Sequence, residues 1–283
     1  MFNPDINIFR SLFIRAFRAA IHAGKSVLEI MNSNYEIAMK SDNSPISSAD
    51  ITADAIIKKH LIPTRIPILS EEGRDMQYDE RKSWDIFWIV DPLDGTRQFI
   101  EKRNEFTVNI ALISDGKPMF GVIYAPALKV LYFGYTKEES FKLNLDREVA
   151  VEKYTFDDVL KNAVKIPSYK DERKYTVLLS KNHAGNQDTV EYLDSIRAKY
   201  GKIEVKKIGS SLKMCLLADG CADEYPRFTH TYEWDTAAAQ AVLEGAGCSI
   251  RSIDDMMPLT YNKKSLLNPF FICRKEIYEK INI

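Results

Sequence analysis

The stretch Trp88-Ile89-Val90-Asp91-Pro92-Leu93-Asp94-Gly95-Thr96 is the part of the chain around which the rest is arranged. The apolar run of residues 86–90 predicts a buried strand, and this strand ends abruptly in carboxylates. Pro92 fixes its own φ and Gly95 permits a tight turn. We therefore expect the chain to reverse direction directly after the strand.

Such a turn brings oxygen atoms together. It can hold Asp91 and Asp94 side by side, with the Leu93 carbonyl and the Thr96 hydroxyl next to them. A ligand set made only of oxygen suits a hard cation such as Mg²⁺ and does not suit zinc. An ordinary Asp-Pro and Asp-Gly turn after a strand is the alternative.

Acidic residues recur at the end of a second predicted strand, residues 66–69, which is followed by Ser70, Glu71 and Glu72. Neighbouring side chains of an extended chain point to opposite faces, so only one of the two glutamates can face a given site. A solvated pair of loop carboxylates is the alternative here.

Two further carboxylates stand where helices are predicted to begin. Ser47 and Asp50 are three residues apart ahead of an apolar-periodic segment, a spacing typical of a capping box. Asp235, in Glu-Trp-Asp-Thr-Ala-Ala-Ala (residues 233–239), opens an Ala-rich helix. Each carboxylate can simply cap backbone amides, and Asp235 can also deliver a ligand from the second half of the chain.

Composition limits the classes of protein that remain. The 283 residues are 45% hydrophobic, enough for one large domain or two tightly joined halves. The net charge of −1 favours neither a nucleic-acid polymer nor an anionic membrane surface, so an anionic substrate needs a local basic pocket. The four cysteines have no zinc spacing and are expected to be reduced thiols. Since neither a signal peptide nor a long apolar run is evident, we expect a soluble protein.

Residues 5–32 predict an amphipathic helix with a broad Phe-rich face and a basic face. A helix of this kind can lie on a membrane, but the Phe-rich face favours core packing. The protein is therefore expected to be cytoplasmic, with peripheral attachment to the inner face of the cell membrane as the alternative.

The order of predicted elements divides the chain into two halves. Hairpin strands within residues 106–135 predict an antiparallel sheet in an α+β half, residues 1–155, that carries most of the candidate ligands. Alternating strands and helices predict an α/β half with a largely parallel sheet, residues 156–283, that supplies Asp235 and substrate-binding loops.

The three acidic motifs together resemble the lithium-sensitive, magnesium-dependent phosphatases of the inositol monophosphatase superfamily. Within it the chain is most similar to the 3′(2′),5′-bisphosphate nucleotidase branch, on longer matching stretches spread over residues 40–270. These stretches are residues 40–50, 105–113, 209–213, 225–228 and 267–269.

The resemblance implies an α/β fold, a layered αβαβα sandwich of the inositol monophosphatase and fructose-1,6-bisphosphatase type, with two or three Mg²⁺ at the junction of the halves. Glu71, Asp91 and the Leu93 carbonyl would hold one ion. Asp91, Asp94 and Asp235 would hold another. Two divalent ions about 3.5–4 Å apart can activate water, neutralise phosphoryl oxygens and stabilise a leaving alkoxide.

The resemblance also assigns catalytic and substrate-binding positions. Thr96, paired with Asp50, would polarise the attacking water, and Glu71 would take part in catalysis. The implied substrate-binding residues are Glu71, Leu93, Asp94, Gly95, Thr96, Lys181, His183, Ser210, Lys213, Arg227 and Asp235.

Lys213 and Arg227 are the cations expected to bind a second phosphate, and the amides that open the helix at Ser210 and Ser211 are expected to help. Each cation alone fits a solvated surface charge equally well. The chain departs from the resemblance at Asn182, where a serine is expected, and at Thr229-His230, where Gly-Pro is frequent.

The implied activity is removal of the 3′-phosphate from the small-molecule substrate adenosine 3′,5′-bisphosphate, a by-product of sulfate activation or carrier-protein charging. A broad inositol or sugar phosphatase and a non-catalytic nucleotide sensor are the alternatives. No Cys-x5-Arg loop, Gly-x-Ser-x-Gly elbow or Walker A sequence supports other phosphoryl or acyl chemistry.

Overall fold

The computed structural model describes residues 5–33, 36–39, 45–136, 138–145, 151–169, 172–181 and 185–276. The predicted substrate contact His183, its neighbour Asn182 and residues 40–44 lie outside this part of the chain. In the described part the helices are α1 (Ile6–Met31), α2 (Ser48–Leu61), α3 (Tyr78–Arg81), α4 (Thr96–Ile100), α5 (Phe156–Asn162), α6 (Gln187–Tyr200), α7 (Leu212–Ala218) and α8 (Glu233–Gly245).

The strands of the same residues form one hairpin and two larger sheets. They are β1 (Ile37–Met39), β2 (Pro45–Ser47), β3 (Ile68–Ser70), β4 (Ile86–Asp94), β5 (Thr107–Ser114), β6 (Lys117–Ala125), β7 (Val130–Tyr135), β8 (Ser140–Asn144), β9 (Val164–Ile166), β10 (Thr176–Ser180), β11 (Glu204–Ile208), β12 (Glu224–Arg227), β13 (Cys248–Ser252) and β14 (Phe271–Lys275).

The first large sheet has the order β3-β4-β5-β6-β7-β8-β9. Its pairs are antiparallel except β3 with β4, which run parallel, so the predicted antiparallel sheet is confirmed. The sheet extends to Ile166, past the predicted division at residue 155. The division into halves at residues 155 and 156 stays a prediction.

The second sheet has the order β11-β10-β12-β14-β13 and is mixed. Strands β11, β10 and β12 are parallel, whereas β14 pairs antiparallel with both β12 and β13. The prediction of a largely parallel sheet is thus only half right. A parallel neighbour needs a crossover, usually a helix, and the described chain between β13 and β14 contains no helix, so the strand returns antiparallel.

Five layers stack along the molecule, and the predicted αβαβα sandwich is confirmed. Helices α1 and α2 cover one face of the first sheet, α7 and α8 lie between the two sheets, and α6 covers the outer face of the second. Alternation within β4 shows how both sheet faces are buried. Trp88 and Val90 pack toward α1 and α2, whereas Phe87 and Ile89 pack toward α8.

Helix α8 approaches the first sheet closely because small residues meet at the contact. A Cβ added at Gly121 of β6 would lie 2.2 Å from the Ala238 carbonyl oxygen. The Ala-rich sequence of α8 and this glycine are therefore complementary. Their contact places the start of α8, with Asp235, against the carboxyl end of β4.

Two arginines on the basic face of α1 contact the segment of residues 152–157 of the same chain. Arg18 donates to the carbonyl oxygens of Glu152 and Tyr154, at 2.7 and 3.0 Å. Arg10 lies 3.4 Å from an Asp157 carboxylate oxygen and 5.2 Å from the Phe156 ring centroid. Core packing of this helix is confirmed, and no helix in the described ranges is long and apolar enough to cross a membrane.

Candidate active site

Two acidic strand ends lie side by side. Because β3 and β4 run parallel with Ser70 opposite Val90, the residues after them leave the sheet at the same edge. The Glu71 amide donates to the Val90 carbonyl at 3.1 Å, which sets Glu71 next to Asp91. Parallel pairing is thus the reason that the two acidic motifs meet.

The predicted reversal of the chain directly after Val90 is wrong. Strand β4 continues along β5, with Asp91 opposite Asn109 and Asp94 opposite Thr107, and the ladder is irregular between these two pairs. Pro92 has no amide hydrogen to donate, and a bulge is a position where a strand accommodates proline. The chain turns only at Gly95, whose φ of 95° places it in the left-handed region.

Three carboxylates form a tight cluster. Oxygen atoms of Glu71, Asp91 and Asp235 all lie within 4.8 Å of one another. Asp235 also caps α8, because its Oδ2 accepts from the Tyr232 amide at 2.7 Å. The capping role expected for Asp235 is therefore confirmed, and the same side chain reaches the cluster from the opposite half.

The cluster has the character of a cation site. Asp91 is 1% exposed, its Oδ1 accepts from the Leu93 amide at 3.0 Å, and its Oδ2 has no hydrogen-bond partner among the described residues. Burial, followed by repulsion from neighbouring carboxylates, raises the pKa of Asp91 and of Asp235 well above the usual range. A hard divalent cation would supply the missing charge and the missing partner.

Asp94, also predicted as a ligand, is not one of these three carboxylates, and its hydrogen bonds tie it to the second half of the chain. Its Oδ2 accepts from the Ser211 amide and, at 3.5 Å, from Asn109 Nδ2. Burial raises the pKa of Asp94, while the Lys213 ammonium and the Ser211 amide oppose that rise.

The predicted pair Thr96 and Asp50 is brought together. Thr96 Oγ1 lies 3.1 Å from Asp50 Oδ1 and 3.2 Å from the Leu93 carbonyl oxygen. The other Asp50 oxygen, Oδ2, accepts from both the amide and the hydroxyl of Ser47, each at 2.7 Å. One carboxylate oxygen therefore caps α2 while the other meets the threonine.

A cleft of about 170 Å³ opens beside the acidic residues. Asp94, Asp235, Lys213 and Arg227 are the charged residues that line it. Other residues that line the cleft are Gln98, Ser180, Gly209, Ser210, Ser211, Met214, Tyr225, Thr231, Thr236 and Phe271.

The two cleft cations differ in how they are held. Lys213 is 4% exposed, donates to the Ser210 carbonyl and sits 5.2 Å from the Tyr225 ring centroid; burial lowers its pKa to about 8. Arg227 donates through Nη2 to the His230 carbonyl at 3.3 Å, and its Nε has no partner in the described part of the chain.

The structure differs from two predictions about substrate binding, one on the amides at the start of α7 and one on Lys181. The amides at the start of α7 are not free, since Ser211 donates to Asp94 and Leu212 donates to the Ser210 hydroxyl at 3.2 Å. Lys181 is not among the residues that line the cleft. Its ammonium lies 2.8 Å from one Glu105 carboxylate oxygen and 2.7 Å from the other.

Sequence reasoning gave no role to two polar residues that support the site, Glu105 and Asn109. Asn109 carried the clearest signal, because it is the one amide side chain in β5, stands between Val108 and Ile110, and pairs with Asp91. Its Oδ1 accepts from Ser211 Oγ at 2.8 Å. A polar side chain that is 2% exposed needs such partners.

Comparison with known proteins gives consistent relatives. Residues 10–282 match the inositol monophosphatase family. The 3′(2′),5′-bisphosphate nucleotidase CysQ of Salmonella typhimurium is 38% identical over 256 residues, 89% of this chain and 95% of the relative. The crystal structure of CysQ from Bacteroides thetaiotaomicron has a TM-score of 0.87 at 39% identity and covers 95% of this chain and 98% of that one. Extragenic suppressor protein suhB from Bartonella henselae, at 24% identity and a TM-score of 0.69, shares the fold over 93% of each chain.

Proposed function

The chain belongs to the inositol monophosphatase family, and from that premise we propose that it hydrolyses the 3′-phosphate ester of adenosine 3′,5′-bisphosphate to give AMP and inorganic phosphate. Relatives that are named 3′(2′),5′-bisphosphate nucleotidases match nearly their whole length with this chain. The observation that carries the proposal is one cleft lined by Asp94, Asp235, Lys213 and Arg227, in which Asp235 also belongs to the carboxylate cluster.

Mg²⁺ fits the carboxylate side. Glu71, Asp91 and the Leu93 carbonyl would hold one ion, and Asp91, Asp94 and Asp235 would hold another. The support is an all-oxygen donor set with a buried, unpartnered Asp91 oxygen. Bound there, the ions would lower the pKa of a water, neutralise phosphoryl oxygens and stabilise the leaving alkoxide.

Thr96 and Asp50 would prepare the attacking water. With its single proton donated to Asp50, the Thr96 hydroxyl keeps lone pairs that can accept a hydrogen bond from water. Asp50 is held in place because Ser47 supplies two hydrogen bonds to its other oxygen. Water then attacks phosphorus as the ester bond to the 3′-oxygen breaks.

Lys213 and Arg227 would bind the second phosphate. Both line the same cleft as Asp94 and Asp235, and Arg227 keeps Nε without a protein partner in the described residues. Two cations match the charge of a phosphate group, which an inositol monophosphate lacks at that position. Ser210, whose hydroxyl borders the same cleft, is the proposed neutral contact.

Rates with Mg²⁺ on adenosine 3′,5′-bisphosphate, 3′-AMP and inositol 1-phosphate test the proposal. We expect kcat/KM to be highest for the bisphosphate. Preference for inositol 1-phosphate would make the broad phosphatase the better description. Tight nucleotide binding without turnover of any of the three would instead identify a sensor.

A further inference from the structure

Residues 209–211 connect β11 to α7 and line the cleft. The Gly209 amide donates to Glu105 Oε2 at 2.8 Å, the Ser210 carbonyl accepts from Lys213, and the Ser211 amide donates to Asp94. Three consecutive residues therefore contact Glu105, a cation of the cleft and a candidate metal ligand, in that order. The position of this turn therefore affects where both Lys213 and Asp94 lie.

The turn requires outside support because its backbone is not relaxed. Ser210 has a φ of 49°, in the left-handed region that residues with a Cβ rarely adopt. Such conformations persist where the surrounding contacts enforce them. The contacts before and after Ser210 are the Gly209 bond to Glu105 and the Ser211 bond to Asp94.

Glu105 touches both turns that border the cleft. A Cβ added at Gly209 would lie 2.9 Å from the Glu105 carbonyl oxygen, and one added at Gly95 would lie 3.0 Å from it. Its carboxylate is held by Lys181, and the two side chains are 26% and 22% exposed. Glu105 thus links the turn at Gly95 to the turn of residues 209–211.

We propose that Glu105 is a positioning residue for this site. Its carboxylate is oriented by Lys181 and fixes the Gly209 amide. This contact keeps the hydrogen bond from the Ser211 amide to Asp94 intact and holds the Lys213 ammonium at the cleft. Lys181 then acts through Glu105 and does not contact the substrate. The inference deepens the proposed function and rests on it for the substrate named.

An ordinary ion pair is the competing description, because partly exposed pairs contribute little on average, about 0–1 kcal/mol. Such a pair would affect neither substrate discrimination nor metal binding. The Gly209 bond distinguishes the two descriptions, since it makes the carboxylate part of the turn. Arg251 and Glu276 provide a matched control pair, 35% and 32% exposed, and neither residue lines the cleft.

The experiment compares Glu105→Ala, Glu105→Gln, Lys181→Met, the double variant Glu105→Ala with Lys181→Met, and Glu276→Gln. KM and kcat are measured on adenosine 3′,5′-bisphosphate and on 3′-AMP, which lacks the second phosphate. The rise in Tm on adding Mg²⁺ is measured without substrate. Wild-type protein in the same assay tests the proposed function separately from the inference.

We expect Glu105→Ala to raise KM for the bisphosphate by about tenfold or more, and KM for 3′-AMP much less. The Mg²⁺-induced rise in Tm should shrink as Asp94 loses its fixed partner. Glu105→Gln should retain most of the affinity, because its amide oxygen can still accept from Gly209. The double variant should be no worse than Glu105→Ala alone, and Glu276→Gln should match wild type.

Equal KM changes on both substrates, additive losses in the double variant, or equal losses in Glu105→Gln and Glu105→Ala would each overturn the inference. An unchanged Mg²⁺ shift in Tm would do so even if no substrate in the panel were hydrolysed. If Glu105→Ala fails to fold, Lys181→Met decides, since it should show the same substrate-selective loss in milder form.

Discussion

The backbone amide of Ser211 donates a hydrogen bond to Asp94 Oδ2, across 117 positions of sequence. Asp94 ends β4 of the first sheet, whereas Ser211 precedes α7, which lies between the sheets. A candidate metal ligand is thus oriented by the opposite half of the chain. Predictions about the site therefore concern the junction of the two sheets as much as any single motif.

The carboxylate cluster predicts the behaviour of Asp235→Asn and Asp94→Asn. Each change removes ligand charge, so Mg²⁺ binding should weaken and hydrolysis should become undetectable while the protein stays folded. Without metal, the Tm should stay the same or rise because repulsion among buried carboxylates is relieved. Circular dichroism, Tm in a chelator and turnover with Mg²⁺ check this. Wild-type turnover in either variant would contradict the proposed ligand set.

The raised pKa of Asp91 and Asp235 predicts how metal-free stability depends on pH. Since the folded pKa lies above the unfolded value of about 3.9, the folded state binds these protons more tightly. Their stabilising contribution is present at low pH and is lost as pH rises through the folded pKa. In a chelator, the Tm advantage of Asp235→Asn over wild type should grow as the pH rises above the unfolded pKa of about 3.9. In saturating Mg²⁺ the wild type should instead have the higher Tm. A Tm difference in chelator that does not change with pH would contradict this prediction.

The contact between Thr96 and Asp50 predicts a loss in rate rather than in metal binding. Thr96→Ala should lower kcat by about 10²–10⁴-fold, the usual size of general-base and positioning effects. The Mg²⁺-induced rise in Tm should stay near that of wild type. Asp50→Asn should behave similarly, and the double variant should be far from additive because the pair acts as one unit. Additive losses in this cycle would leave Asp50 with its helix-capping role alone.

Lys213 should discriminate between substrates. Lys213→Ala is expected to raise KM for adenosine 3′,5′-bisphosphate by about 10–100-fold, with a much smaller effect on 3′-AMP. Lys213→Met keeps most of the buried volume and should show the same pattern, which separates charge from packing. Lys207→Ala, an exposed change on β11, serves as the control. Arg227→Ala should act in the same direction, and equal losses on both substrates would favour the broad phosphatase.

Lithium should inhibit the enzyme if the carboxylate cluster binds Mg²⁺ as proposed. A monovalent ion of similar size can enter the site, yet it cannot stabilise a developing alkoxide as a divalent ion does. Steady-state rates at fixed Mg²⁺ should fall as Li⁺ is added, whereas K⁺ at the same ionic strength should have little effect. Full activity at Li⁺ concentrations well above that of Mg²⁺ would argue strongly against this cluster as the catalytic centre.

Much of the fold and the local half of the site could be predicted from sequence, because short-range physics decides them. Residues 86–90 are apolar at every position, which marks a strand buried on both faces. The capping box of Ser47 and Asp50 and the turn at Gly95 depend only on neighbours in sequence, and the structure contains both. Family membership followed from the three acidic motifs together.

Tertiary structure alone decided which of these groups meet. The direction of β14 depends on the route of the chain after β13, and no residue pattern within β14 specifies it. The approach of Asp235 to Glu71 depends on how closely α8 packs on Gly121. The bonds of Glu105 to Gly209 and of Asp94 to Ser211 span more than a hundred positions of sequence. Contacts of this kind follow from the packing of whole layers, so sequence supplied the chemical groups and packing of the two sheets around α8 determined their arrangement.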